Sequence, residues 1–395
     1  MGGRPPICLL VIILLLSFAF SDGNIEAQTS EPIKIGAFFA LSGPSSSIAT
    51  STSLAAQMVV DKINEDQGIN GRSLELIVGD TEGDPSRALA LAKRLVEEDK
   101  VSALIGPTHT GTGMTVKSYI ETKAHIPAVM TVEGDRVIAG GKYGPYRWTF
   151  KIPPRTSTAV RKIYGYLNSQ KLRKVGLLTA SDGFGKEGLG WLEKLAPEYG
   201  LEIVARESFD PTAADVTAQI GKIGASDPQA LVCWTIGPAG ARVAKSLKRS
   251  GMTIPLIQSH RQPGPQYTKL AGAAAEGSIM PTTKLMVYRQ LPNIDPQKAV
   301  IQDFVNLYRD VHHLDEQCSI NVHSGYAWDA IFLLTNAMRQ VGPEAEPLRD
   351  AIEQMQGYVG VSGVYKLTPE DHNGLGGDSL VMVKVENGKW VMIQH

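Results

Sequence analysis

Three cysteines in 395 residues are too few for a disulfide scaffold, and one of them, Cys8, sits in an N-terminal apolar run. Of the other two, Cys233 stands inside the apolar run Ala230–Trp234 and reads as a buried thiol, with a bridge to Cys318 left open. Neither sign of charge prevails: Lys and Arg number 39 against 40 Asp and Glu, for a formal net charge of -1. That balance offers no basic face to nucleic acid and no acidic tail to a polycation. Beyond Phe20 no apolar run is long enough to span a membrane. The G-x-S-x-G elbow of a serine hydrolase is missing, Cys233 has no obvious paired base, and no two carboxylates are spaced as an acid/base pair. The residues therefore ask for no catalytic role, no metal and no cofactor.

The N-terminus carries an address. Arg4 precedes the apolar run Ile7–Phe20, broken only by Ser17, and Ser21-Asp22-Gly23 ends it, the layout of a secretion signal over residues 1–27. Ala19, Ser21 and Ala27 all offer cleavage points, an uncleaved anchor is the alternative, and Cys8 lacks the small preceding residue of a lipoprotein site.

The remaining ~365 residues exceed one ordinary core and predict two domains. From Ile33 short apolar runs alternate with amphipathic segments: strand 33–40, helix 51–66, strand 74–78, helix 84–98 capped by Asp84 with Pro85 at its first position, strand 101–105, a helix from Met114, and strand 128–131. This order calls for a parallel, doubly wound sheet. Pro153-Pro154 interrupts it, and the pattern restarts: helix 156–168, strand 175–179, helix 186–199, strand 202–207, helix 214–224, strand 230–234, helix 239–250, strand 255–258. A Gly- and Pro-rich stretch from Gly277 to Pro296 leads to helices at 297–311, 322–341 and 346–355, then strands at 363–367, 380–386 and 390–393. Terminal strands separated from their sheet by helices require the chain to cross between lobes more than once, and ligands of such sheets bind beyond the strands' carboxyl ends.

Val101 to Gly113 is the segment with most to say. A buried strand breaks at Gly106-Pro107, and Thr108, Thr110 and Thr112 offer hydroxyls where a helix begins. Such a junction presents unpaired amides and a positive dipole end, an anion cradle that needs no Lys or Arg; the alternative is that Thr110 or Thr112 only caps its own helix. Gly183-Phe-Gly-Lys-Glu-Gly188 matches the dinucleotide fingerprint, with Glu202 and Glu207 downstream, and keeps an NAD-linked oxidoreductase as a reading of another class, although Ala180-Ser181-Asp182 separates its first Gly from the strand. Asp80–Asp84 reads as a capped turn rather than a calcium loop, and His312-His313 as a solvated face rather than a metal cluster. Phe184, Trp234 and Ile236 fall at or beyond strand ends, where they serve either core or pocket.

Ile33-Lys-Ile-Gly-Ala with Leu41-Ser-Gly-Pro44, Ile63 to Arg72, Asp80 to Pro85, Leu104-Ile-Gly-Pro107, His125-Ile-Pro127, Asp182-Gly-Phe-Gly185 and Trp328-Asp-Ala330 recur in order and spacing across nearly the whole chain after the signal. Together they resemble the type I periplasmic binding proteins of the leucine/isoleucine/valine-binding kind, which deliver solutes to ABC transporters. The resemblance implies an α/β protein of two doubly wound Rossmann-like lobes joined by a three-crossover hinge, with residues 31–150 and 285–362 in lobe 1 and 151–284 and 363–395 in lobe 2. It implies a periplasmic protein whose partners are ABC transporter permease subunits; a sensor role and the oligomeric state stay open.

By this resemblance the carboxylate-binding hydroxyl falls on Thr110, helped by the neighbouring backbone of Thr108 and His109, while Ile48 lies against the ligand's apolar body and Ser47, Thr131, Val132 and Glu133 complete the first-lobe lining. Phe184 takes the place of the family's usual Tyr, Trp234 and Ile236 supply apolar surface, and His260 is a donor to a ring hydroxyl or second oxygen. Ala239 occupies the position of the usual acidic ammonium partner. Trp234-Thr-Ile-Gly-Pro238, Ser259-His260 and Ala271 to Pro296 resemble the subgroup associated with aromatic acids. The expected ligand is thus a small carboxylate with an apolar or aromatic body, and an amino acid is the alternative if Glu133 faces the cleft.

Overall fold

Gly106 shows how the first sheet hands its strands to the site. Its φ of +117° and a notional Cβ only 2.4 Å from the Phe38 carbonyl oxygen leave room for glycine alone, so the chain turns sharply out of the third strand. The computed structural model describes residues 31–43, 45–312 and 320–394; the secretion signal expected at 1–27, His313 and Cys318 lie outside these described residues.

The first sheet is built from β1 (Ile33–Phe39), α1 (Ser46–Glu65), β2 (Leu74–Asp80), α2 (Pro85–Glu97), β3 (Ala103–Ile105), α3 (Thr110–Tyr119), β4 (Ala128–Met130) and β5 (Thr149–Lys151). Its strands run parallel in the order β2-β1-β3-β4-β5. The Asp84 carboxylate accepts the Arg87 amide at 2.8 Å and Pro85 opens α2, the cap read from the sequence. Asp80 accepts the Leu41, Ser42 and Glu82 amides, so the acidic turn ties the β1 loop down rather than holding calcium.

The second unit of alternation gives α4 (Thr156–Ser169), β6 (Lys174–Ala180), α5 (Gly183–Leu195), β7 (Glu202–Phe209), α6 (Thr217–Gly224), β8 (Ala230–Trp234), α7 (Pro238–Arg249), β9 (Leu256–Gln258), α8 (Pro265–Ala271) and β10 (Ile279–Thr283). All five residues of β8 are buried, as a strand covered by helices on both faces requires. The chain then returns to the first sheet through α9 (Gln297–His312), α10 (Val322–Val341), α11 (Ala345–Glu353) and the hairpin β11 (Gln356–Val359) and β12 (Val364–Lys366). It ends in β13 (Leu380–Glu386) and β14 (Lys389–Met392), which complete a seven-stranded sheet ordered β14-β13-β10-β9-β8-β6-β7. Only the β10–β13 and β13–β14 pairings of this sheet are antiparallel.

The chain passes between the sheets after β5, after β10 and before β13, which makes three passages. Tyr365, Leu367 and Leu375 pack in the first sheet's core, so the last passage follows Leu375. Four differences from the sequence reading bear on the site. Helix α1 begins at Ser46 rather than Ser51, α3 at Thr110 rather than Met114, α5 at Gly183 rather than Lys186, and the stretch from Gly277 contains β10. Among the described residues no helix is long and apolar enough to cross a membrane.

Candidate functional site

The carboxyl ends of the two sheets face each other, and the loops leaving them make the site. From the first sheet come the loop after β3, the loop after β4 and the starts of α1 and α10; from the second come the start of α5 and the loops after β8 and β9. Thr108 is buried and its hydroxyl accepts the Ala40 amide at 3.0 Å, which fixes the turn. His109 precedes α3 as its N-cap residue without a side-chain cap bond, and its Nε2 lies 2.8 Å from Ser45 Oγ. Thr110 is 3% exposed and its hydroxyl has no hydrogen-bond partner in the protein. Thr112 instead donates to the His109 carbonyl. The first turn of α3 thus keeps uncapped amides and a free hydroxyl turned inward, the arrangement expected of an anion cradle.

Across from it, Phe184, Trp234 and His260 form a triangle of rings with centroids 5.5 to 5.9 Å apart. Gly188 makes room for this cluster, because a Cβ there would fall 2.2 Å from the Trp234 ring. Asp182 caps the Gly185 amide at 2.8 Å, and a Cβ at Gly185 would meet the Ala180 carbonyl oxygen at 1.9 Å. Close packing of α5 on β6 and β8 therefore accounts for Gly185 and Gly188 of the dinucleotide-like motif.

The residue that organises the site was not anticipated. Arg261 is 3% exposed, and its Nε stands 2.7 Å from Oε2 of Glu133, itself 0% exposed; the two come from opposite sheets. Arg261 also donates to the Thr108 carbonyl at 3.1 Å and lies over the Phe184 ring. His323 Nδ1 sits 3.6 Å from the second Glu133 oxygen, and Tyr326 follows on the same helix α10. Several enclosed atoms here have no protein hydrogen-bond partner: Arg261 Nη1, both His260 nitrogens, His323 Nε2, the Tyr326 hydroxyl and Trp234 Nε1. Buried polar atoms are rarely left so, and their concentration marks where a polar solute fits.

Glu133, Thr108, His109, Thr110, Phe184, Trp234, Ile236, Ile48 and His260 all lie at these facing ends. Ile48 belongs to the first sheet's side yet packs with the second sheet's apolar cluster, 3.8 Å from where a Gly237 Cβ would be. Three expected residues do other work. Thr131 donates its hydroxyl to the Pro107 carbonyl at 2.9 Å, Val132 turns into the core with Val116 and Val137, and Ser47 is exposed on the first turn of α1. Arg261 was legible only as the neighbour of His260, and His323 and Tyr326 only as the residues opening a helix capped by Asn321.

Burial dominates the titration of the site. It raises the Glu133 carboxyl to about 7 against the pull of Arg261 and Lys151, and lowers His109 to about 4 with help from Arg261. His260 and His323 are pushed well below the ordinary histidine range by burial and neighbouring cations, so both are neutral imidazoles. A second carboxylate crosses between the sheets: Glu187 of α5 accepts the Asp135 amide and lies 3.5 Å from Arg136, and burial followed by Asp135 raises it to about 7. A carboxyl raised on folding from 4.5 to about 7 favours the folded form at acid pH and loses that contribution as pH rises through 7. Glu187→Gln keeps the acceptor without the charge. It is expected to melt higher than the parent at pH 8 and alike at pH 4.5, as thermal unfolding at the two pH values would show.

With this geometry in view, comparisons place the chain. Residues 32–389 match the model of the family described as "Periplasmic binding protein". The chain belongs to that family. Among its relatives, the "Leu/Ile/Val-binding protein homolog 3" of Brucella melitensis is 20% identical over 70% of this chain and 73% of its own length. An extracellular ligand-binding receptor from Rhodopseudomonas palustris HaA2 superposes with a TM-score of 0.85 at 24% identity, over 92% of this chain and all of that one (100%). A branched-chain amino acid transporter substrate-binding protein from Streptococcus pneumoniae, solved with isoleucine, gives 0.78 at 22% identity over 92% and 100%. The two-lobed α/β fold of periplasmic binding proteins is thus shared across these structures.

Proposed function

We propose that this chain is the solute-binding component of an ABC importer, exported to the periplasm, and that it captures a small α-amino acid between its lobes for delivery to the permease. The observation that carries the ligand class is the buried Arg261–Glu133 pair flanked by unpartnered polar atoms. A zwitterion entering there offers its carboxylate to Arg261 and the Thr110 cradle and its ammonium to Glu133, so one ion pair becomes two and the net charge of the enclosed site is unchanged. A bare carboxylate would instead strand Glu133 as an uncompensated buried charge, at a cost of several kcal/mol. Glu133 thereby takes the part for which Ala239 is unsuited. The Leu/Ile/Val-binding relatives agree with this class.

An aromatic acid is the second reading, supported by the Phe184, Trp234 and His260 rings and by a Glu133 carboxyl that titrates near 7 and can be neutral. The two differ in pH dependence: affinity for an aromatic acid would rise as pH falls below 7, whereas an amino acid needs Glu133 ionised. A thermal-shift panel of amino acids, benzoates, phenylpropanoids, 2-oxo acids and NAD on refolded, ligand-free protein tests the reading, since ligand at a hundred times its Kd adds ~2.7 kcal/mol. Shifts from amino acids are expected; shifts from the acids alone would reverse the order of the two readings. Thr110→Val is expected to weaken binding at least tenfold by calorimetry, as loss of a charge-assisted hydrogen bond worth ~1.5 to 3 kcal/mol implies.

A further inference from the structure

The amino-acid reading leaves four enclosed groups without a task. Once Arg261 and Glu133 have taken the carboxylate and the ammonium, His260, His323, Tyr326 and the Trp234 indole still present polar atoms with no protein partner. His260 and Tyr326 are each 1% exposed, His323 is 4% exposed and Trp234 0%, so a lobe closure that expels water leaves only the solute to pair them. A leucine or valine side chain pairs none of them. We propose that the solute is an amino acid whose side chain ends in an uncharged hydrogen-bonding group, a hydroxyl or an amide, seated between His260 of the second lobe and His323 and Tyr326 of the first.

This inference rests on the amino-acid reading and narrows it. The group is uncharged because the cations near these atoms are already matched, Arg261 by Glu133 at 2.7 Å and Lys151 by Asp135 at 3.8 Å. An added side-chain carboxylate would find neutral imidazoles, a phenol and an indole, and one unbalanced charge would be buried. Each of the four can donate, and the imidazoles and phenol can also accept, so a hydroxyl or amide, itself both donor and acceptor, suits them better than a pure acceptor. The ring triangle of Phe184, Trp234 and His260 supplies the apolar flank along which the intervening carbons lie.

Matched pairs of similar size test it by titration calorimetry on refolded, ligand-free protein: valine against threonine, leucine against asparagine, methionine against glutamine, phenylalanine against tyrosine, with glutamate beside glutamine. The polar member is expected to bind at least tenfold tighter in at least one pair, and glutamate at least tenfold weaker than glutamine. Tyr326→Phe and His260→Phe are expected to shrink the polar member's advantage over its apolar partner, a pattern that misfolding, which weakens both members alike, would not produce. Equal or tighter binding of the apolar member in every pair would overturn the inference and leave the amino-acid reading standing. Glutamate binding more tightly than glutamine would overturn the uncharged terminus. Silence from every amino acid, with a response from aromatic acids, would overturn both.

Discussion

Arg261→Met is expected to lower ligand affinity at least a hundredfold, the equivalent of ~2.7 kcal/mol, and to destabilise the folded protein as well. The two losses have different causes. Affinity falls because the guanidinium faces the Thr108–Thr110 turn, where it already donates to the Thr108 carbonyl. Stability falls because Glu133, 0% exposed, keeps its carboxylate without the cation that balanced it. Breaking one side of a buried pair typically costs ~3 to 5 kcal/mol, and Glu133 would escape part of that by taking up a proton. Melting of the variant should therefore approach the parent as pH falls below 7, the value to which burial raises Glu133. Adding Glu133→Gln should restore stability at neutral pH and leave affinity low. If the double variant binds as the parent does, the pair is structural and the ligand lies elsewhere.

The second large effect belongs to Asp329, one turn beyond Tyr326 on α10 and central to the passages between the lobes. Its carboxylate, buried in α10, accepts the Val361 amide at 2.7 Å and the Ser362 amide at 2.8 Å. The Tyr365 hydroxyl lies 3.0 Å from the same carboxylate and 3.1 Å from the Ile152 carbonyl oxygen, so Asp329 ties the region before the third passage to the first. A Cβ at Gly360 would come within 2.5 Å of Asp329 Oδ1, which shows how closely the backbone wraps the carboxylate. Asp329→Ala strands two buried amides and is expected to cost ~3 to 5 kcal/mol in denaturant unfolding. Asp329→Asn, which keeps one acceptor, should lose markedly less. An unchanged midpoint for Asp329→Ala would mean that the passages are held by packing alone.

Most of the fold could be read along the chain because its signals are local. Asp84 with Pro85 announces α2, the apolar run of β8 has no polar face to misplace, and α10 spans the residues that its periodicity marks. The misses are equally physical. β10 carries Pro281, which argues against a strand, yet it pairs with β9 and β13 on either side. α3 and α5 begin on Thr and Gly, poor helix formers that the neighbouring strand ends and loops hold in place.

The site was legible in part for a different reason. Thr110 and the apolar Phe184, Trp234 and Ile236 follow from where strands end, but Ser47 and Ile48 are adjacent on one helical turn, and only their packing separates the exposed one from the buried one. Glu133 reads as an ammonium partner should it face the cleft, but Arg261 looks like a solvated loop charge, and nothing local tells that the two meet across the lobes. A pair so distant in sequence becomes visible only once both sheets are in place.

The most direct test is a calorimetric titration of ligand-free protein at pH 7.5 with the tightest-binding amino acid of the panel and with the same molecule lacking its α-amino group. The account expects the amino acid to bind at least a hundredfold tighter, and the gap to close in Glu133→Gln, because the ammonium then has no counter-charge. Binding of the deaminated acid as tightly as the amino acid, with Glu133→Gln indifferent to the change, would contradict the central role given to the Arg261–Glu133 pair.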